Sequence, residues 1–320
     1  MATIRDVARL SGYSITTVSR VLNHSGYVSQ KAIRKIKQVM EQLDYVPNAI
    51  ARDLSNGRTH KIGVILPQIR APYFGQILNG IAEAAFSTDY SITLLPSEYD
   101  EAAEIYYLEQ LRRKEYDGLI ITSHGLPLEK LAAYNKYGPL VCCEDPGTLP
   151  LAAVFTDRYS AFVQLFQWLQ DQQINRVACM FYRGAQLSAT TRLTLAAYQK
   201  VYGQKLPDDL LMPKITSTKA AYLGVQKTAQ TVQNLQGIFA NSDGNAIVAR
   251  HYFLNHHLKL PLIIGQGYEI SSLAVKMPTI DYHLYELGRK AFKMVLSVPQ
   301  TPSKVKLPAD FIIQNNQLAI

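Results

Sequence analysis

The residues from Ser14 to Asn23 are the best placed in this chain to do recognition chemistry. If Ile15 to Leu22 form a helix, Thr16, Ser19, Arg20 and Asn23 share its polar face, with Ile15 at its start. Hydroxyls, an amide and a guanidinium can grip phosphate oxygens or base edges, and an aliphatic side chain can meet a thymine methyl. Arg20 is the side chain expected to contact a base, because its fork matches the acceptors of guanine. Catalytic chemistry has much less support. The stretch GQGYEI from Gly265 holds two glycines of a dinucleotide fingerprint but Ile270 where the third should stand, and neither GxxxxGK nor GxSxG occurs. His251, His256 and His257 lack the HExxH spacing of a zinc site, so no metal, no cofactor and no catalytic residue are expected.

The elements that would hold this face can be read from local spacing. Thr3 and Asp6 form a capping-box start, after which Ile4, Val7 and Ala8 fall on one face of a helix ending at Ser11 and Gly12. Gly12 tolerates a tight turn, Ser14 can cap the next helix, and Val18 and Val21 lock it against the first. A small residue, a turn glycine and branched apolar residues at this spacing are what a helix-turn-helix requires. A third helix, capped by Ser29 and running from about Gln30 to Leu43, places Ile33, Ile36, Val39, Met40 and Leu43 inward and Lys31, Arg34, Lys35 and Lys37 outward.

Charge follows the same division. Residues 1–61 hold ten Lys/Arg against four Asp/Glu, whereas the other residues hold 23 and 21, so most of the net +8 lies in the first fifth of the 320 residues. A basic module suits a phosphate backbone. Composition excludes disorder and a disulfide-stapled mini-protein: 48% of residues are hydrophobic and only three are cysteines, Cys142, Cys143 and Cys179, read as core residues. No apolar run reaches membrane-spanning length and MATIRDVARLSG lacks a signal-peptide core, so a cytoplasmic protein is expected.

TIRDVARLSGYSITTVSRVLN and GYVSQKAIRKIKQVMEQLDYVPNAIARDL together resemble the DNA-binding end of the LacI/GalR family of bacterial transcription regulators. The resemblance implies that the second helix enters the major groove, with Ile15, Thr16 and Arg20 at base-reading positions and Ser14, Thr17, Ser19 and Asn23 on the supporting, phosphate-facing side. It also implies that PNAIARDL is a hinge helix entering the minor groove as a symmetric pair, with Asn48 as its cap, Ala51 as its small position and Leu54 as its apolar wedge. Pro47 presets the first turn and Ser55-Asn56-Gly57 ends the segment after barely two turns, a length marginal without partner and DNA.

After a polar linker, short apolar runs alternate with helical segments: KIGVILP, PYFGQILNGIAEAAFS, SITLLPS, AAEIYYLEQLRRKEY and DGLIITS, then GPLVCC, AAVFT, NRVACMFY, GIFANS and LPLIIG. This predicts an α/β fold with two parallel sheets and a ligand cleft beyond their carboxyl ends. It resembles the family's effector domain, which has the two-lobed periplasmic-binding-protein fold. The expected division is a helix-turn-helix domain over 1–46, a hinge and linker over 47–60, and an effector domain over 61–320, with lobe 1 at about 61–157 and 283–300 and lobe 2 at about 158–280 and 305–320.

Carried over by position, the resemblance places Ala71, Pro72 and Phe74 at the cleft edge, Glu144 at an acidic strand end, Phe155 as an aromatic wall and Arg192 on sugar hydroxyls. Ser242 and Asp243 become a polar pair and Tyr282 a crossover contact. Gly267 departs from the pattern, standing where the family usually has an aspartate, with Gln266 before it. The expected protein is a homodimeric repressor of carbohydrate-utilisation genes, binding palindromic double-stranded operator DNA and released by a sugar or sugar phosphate. Two rivals are a catabolite-control regulator of the same fold that answers a protein partner or co-repressor, and a sugar- or nucleotide-acting enzyme with a basic arm.

Overall fold

The computed structural model describes residues 2–23, 25–46, 57–297 and 302–314. Its contacts divide the chain into two units, Met1–His60 with Lys114–Asp117, and Lys61–Arg113 with Gly118–Ile320. In the first unit α1 spans Ile4–Ser11, α2 Ile15–Leu22 and α3 Gln30–Gln42. The Thr3–Asp6 capping box is formed, and Gly12 closes α1 at φ 76°, a left-handed conformation that a side chain would strain. Val7, Ala8, Val18, Val21, Ile36 and Val39 make the core, so each helix buries one stripe and none is left to stand alone. The hinge positions Asn48, Ala51 and Leu54 lie outside the described residues.

The second unit alternates strand and helix. Its first part runs β1 (Lys61–Leu66), α4 (Pro72–Phe86), β2 (Ser91–Pro96), α5 (Glu101–Arg112), β3 (Gly118–Ile121), α6 (Leu128–Ala132), β4 (Leu140–Cys142) and β5 (Ala152–Thr156). Its second part runs α7 (Arg158–Asp171), β6 (Val177–Met180), α8 (Ala189–Tyr202), β7 (Leu211–Met212), α9 (Thr218–Thr231), β8 (Gly237–Phe239), α10 (Asp243–Asn255), β9 (Leu262–Ile264) and α11 (Ile270–Ala274). The chain then returns through β10 (Thr279–Asp281), α12 (Leu284–Leu296), β11 (Lys304–Leu307) and β12 (Asp310–Ile312).

Two parallel sheets result, ordered β11-β5-β4-β3-β1-β2 and β7-β6-β8-β9, with β10 and β12 paired antiparallel. Strands buried on both faces read as unbroken apolar runs, which is why KIGVIL and GLII lack alternation. The last crossing differs from expectation. Lys304–Leu307 pairs in register with Ala153–Thr156 and extends the first sheet, so the final return to the second lobe comes after Leu307 and not before 305. Only Leu307 of this strand is buried, as suits an edge strand with polar neighbours.

Three crossings therefore join the lobes, and polar contacts lace them together. Thr156 donates to the Tyr282 carbonyl at 3.0 Å, Lys306 to Asp157 at 2.8 Å, and His283 lies 2.7 Å from Asp310. Cys142, Cys143 and Cys179 are free and buried in this unit, and burial pushes the Cys143 thiol up to about 12, which leaves it inert. Among the described residues no helix is long and apolar enough to cross a membrane.

Candidate functional site

The second helix of the first unit presents two kinds of polar side chain. Ser14 caps it, accepting from the Thr17 amide at 3.1 Å while its hydroxyl meets that of Thr17 at 2.9 Å. Asn23 donates to Ser19 at 3.3 Å. These four shape the helix and its ends. Ile15, Thr16 and Arg20 are exposed, Ile15 at 46%. The Arg20 stem passes within 3.6 Å of where a Cβ on Gly26 would lie, so the turn after α2 flanks the arginine without blocking its head group. Lys31, Arg34, Lys35 and Lys37 are exposed on α3. The arrangement offers one aliphatic, one hydroxyl and one guanidinium contact from a rigid helix, with ammonium and guanidinium groups on a neighbouring helix.

In the second unit a cavity of about 750 Å³ lies between the lobes, and its walls are the carboxyl ends of strands and the first turns of the helices that follow. From the first lobe come Arg70 to Phe74 after β1, Tyr99 after β2, Thr122 and Ser123 after β3, and Cys143 and Glu144 after β4. The second lobe adds Met180 to Arg183 after β6, Ser188 to Thr191 at α8, Thr216 to Thr218 at α9, and Ser242 at α10. Ser188, Ser217 and Ser242 cap those three helices, which turn hydroxyl-bearing, positively polarised ends toward the space.

Of the two carboxylates that line the cleft, Glu144 and Glu269, one has an imidazole partner. His124 lies 3.4 Å from Glu144, and its other nitrogen is 2.6 Å from the Leu126 carbonyl. Burial alone would lower the imidazole's pKa, but the Glu144 carboxylate and the Leu126 carbonyl outweigh it and the value is raised. Burial would likewise raise Glu144, yet His124 and Arg158 hold it below the usual carboxylate range. Glu269 has no such partner: burial and the charge of Asp243 push it up to about 7. The loop carrying His124 is fixed by Glu104, fully buried on α5, which accepts from the Gly125 amide at 2.8 Å, the Leu126 amide at 2.9 Å and the Ser97 hydroxyl at 3.0 Å.

Of the cleft residues expected from the sequence, Ala71, Pro72, Phe74, Glu144, Ser242 and Tyr282 line the cavity together. Phe155, Arg192 and Asp243 do not line it. Phe155 sits within β5 next to Thr156, whose side chain turns to the crossing. Arg192 is exposed and donates to the Ala185 carbonyl, bracing the loop before α8. Asp243 points inward, accepting from Thr279 at 2.6 Å and the Glu269 amide at 2.7 Å, and so ties β9's exit to β10.

Gly267 adopts φ 124°, and a Cβ there would lie 3.1 Å from the Glu269 carboxylate. The acidic group that this position lacks is thus supplied to the same neighbourhood from two residues on. Gln266 is buried, donating to the Ala240 carbonyl at 2.7 Å and accepting from the Tyr282 hydroxyl. Spacing also missed Tyr73, Arg158 and Arg183. Arg158 bonds the Tyr73 and Thr190 hydroxyls, and its guanidinium lies over the rings of Tyr73 and Tyr282. Arg183 reaches from β6's exit to the His124 carbonyl at 3.2 Å and lies 3.7 Å from the Tyr99 ring centre. A polar residue directly after an apolar strand at a crossing, as in AAVFTDR, was the one local signal for Arg158.

Comparison with known proteins matches both units. Residues 3–48 match the model of bacterial regulatory proteins of the lacI family, and residues 59–315 match that of periplasmic binding proteins and the sugar binding domain of the LacI family. The chain is 38% identical over 311 residues to catabolite control protein B of Bacillus subtilis (strain 168), covering 97% of this chain and 99% of that one. It is 29% identical to the sucrose operon repressor of Pediococcus pentosaceus, over 88% of this chain and 84% of that one. Among solved structures, the lac repressor dimer bound to operator and the anti-inducer ONPF aligns at a TM-score of 0.79 and 21% identity, covering 97% of each chain.

Proposed function

This chain belongs to the LacI family of bacterial transcription regulators, DNA-binding proteins rather than enzymes, and we propose that it is a cytoplasmic repressor of carbohydrate-utilisation genes. The observation that carries the reading is one chain holding both a helix that exposes Ile15, Thr16 and Arg20 and a hydroxyl- and tyrosine-lined cavity of about 750 Å³. Two copies would read a palindrome, each placing its second helix in the major groove, with Leu54 as the central minor-groove wedge and Asn48 and Ala51 beside it. Ser14, Thr17, Ser19 and Asn23 would hold the helix and its phosphate contacts in register.

In the cleft, Glu144 and Glu269 would accept hydrogen bonds from hydroxyls, Ser242 and the hydroxyls at the helix ends would complete the polar lining, and Phe74 and Tyr282 would cover the apolar face of a sugar. Effector binding would favour one lobe arrangement, operator binding another, and the coupling between them is reciprocal. The 38% identity to catabolite control protein B favours a second reading, a catabolite-control regulator, whose operator affinity would answer a protein partner or co-repressor. Selection of bound sequences from randomised duplexes by the full-length chain tests the DNA assignment. A palindromic consensus is expected, and recovery without consensus would overturn it.

A further inference from the structure

The last two residues before β1 are held by a side chain from much later in the sequence. Asp117 accepts from the Thr59 amide at 2.8 Å, the Thr59 hydroxyl at 3.0 Å and the His60 amide at 3.0 Å, so one half-buried carboxylate gathers three donors. The sheet register explains why a side chain takes this part. β1 pairs with β2 from Lys61 and with β3 from Ile62, opposite Gly118, so Thr59 and His60 precede the paired residues on both sides. Asp117, one residue before β3, supplies the acceptor that a ladder carbonyl would otherwise provide, and bonds to a carboxylate are the stronger kind.

The mount is rigid and the segment it holds is bent. Tyr116 on one side of Asp117 is buried, and on the other a Cβ at Gly118 would lie 2.7 Å from Val295 of α12 and 3.3 Å from Pro139, so the backbone there has no room to shift. His60 adopts φ 53°, a left-handed conformation that costs free energy in a residue bearing a Cβ. Its amide and that of Thr59 converge on one acceptor, as neighbouring amides do around an anion. Strained backbone persists where its surroundings over-determine it, and the bend at His60 sets the direction in which the chain leaves β1 on its way back to α1–α3. Releasing Thr59 and His60 would lengthen each free linker by up to about 7 Å, whereas one inserted base pair moves two half-sites apart by about 3.4 Å. Resting on the reading above of two copies on a palindrome, we propose that Asp117 is a positioning residue that pins the linker and thereby determines which half-site spacing the dimer accepts.

Fluorescence anisotropy of the full-length chain on its selected palindrome, and on duplexes with one or two base pairs inserted at the centre, tests this in wild type, Asp117→Ala and Thr59→Val. Wild type should lose about tenfold or more in affinity on the first insertion. In D117A that loss should shrink to about threefold or less, because a longer tether spans the wider site. T59V, which removes one bond and keeps both amides, should fall between the two, and it carries the comparison should circular dichroism show D117A unfolded. Weaker binding by the same factor on all three duplexes is what a purely structural loss gives; it would overturn the role of Asp117 and leave the palindrome reading standing. No spacing preference in wild type itself would overturn both.

Discussion

Replacing Glu104 by alanine should unlatch the loop that holds His124 beside Glu144. Glu104 is fully buried, and its carboxylate is the acceptor for the Gly125 amide, the Leu126 amide and the Ser97 hydroxyl. Alanine removes the acceptor without removing the donors. Each of the two loop N–H groups left unpaired costs about 1–3 kcal/mol, and the serine hydroxyl can rotate to another acceptor, so E104A should lose about 2–6 kcal/mol. Glutamine keeps one acceptor oxygen but turns an NH₂ toward a backbone N–H, for a loss of about 1–3 kcal/mol. Urea unfolding, followed by far-UV circular dichroism and by Trp168, the single tryptophan, which packs on Phe311 at 5.3 Å, measures both. The alanine variant should be the weaker of the two. An E104A midpoint indistinguishable from wild type would refute the reasoning, because it would mean that water satisfies the loop amides at no cost.

Three other outcomes follow from the same geometry. Arg20→Ala should relax discrimination at one base pair of the operator by about 1–3 kcal/mol, read by titrating single-base variants, and equal weakening on all variants would reassign the arginine to phosphate. The His124–Glu144 pair combines a raised imidazole with a lowered carboxyl, so its stabilisation is lost as pH rises through the folded His124 value above 6.5, and as pH falls through the folded Glu144 value below 4.5. The stability difference between wild type and H124Q should therefore be greatest between those limits and shrink on both sides. Glu269 has the opposite sign for a carboxyl: its raised value favours the native state below pH 4.5, and that advantage disappears as pH rises through about 7. E269Q should flatten stability across that interval in a pH series of urea midpoints.

The helix-turn-helix was legible because everything that specifies it is local. Thr3 and Asp6, Gly12, Ser14 and the branched residues Val18 and Val21 act within a few residues of one another, and the caps, turn and core form where their spacing put them. Strand and helix alternation was legible for the same reason, since apolar runs such as GLII persist wherever both faces of a strand are covered. The crossings were less so. KVKL can edge either sheet, and its pairing with β5 depends on chain more than a hundred residues away.

The cleft is where local reading ran out. Strand-end residues such as Ala71, Pro72 and Glu144 reach it because every parallel strand ends there. Arg158 and Arg183 become part of it only through contacts with Tyr73, Tyr99 and His124 on the other lobe, which no spacing encodes. Asp243 illustrates the reverse case. Adjacent to the lining residue Ser242, it is rotated one helical position inward, where it bonds the Thr279 hydroxyl and the Glu269 amide instead of facing the cavity. Gly267 removed an acid from its expected place, and only the fold shows Glu269 supplying another beside it.

The central claim is that a small molecule in the cleft controls operator binding. It is tested most directly by titrating the full-length chain onto its selected palindrome by fluorescence anisotropy, with and without glucose, ribose, fructose, sucrose and the phosphates of these sugars, for wild type and Glu144→Gln. The account predicts that at least one of these compounds weakens operator affinity about tenfold or more, a coupling of about 1.4 kcal/mol, and that E144Q binds the palindrome but responds only at higher effector concentration. Operator affinity unmoved by every compound, or altered only when a partner protein is added, would contradict it.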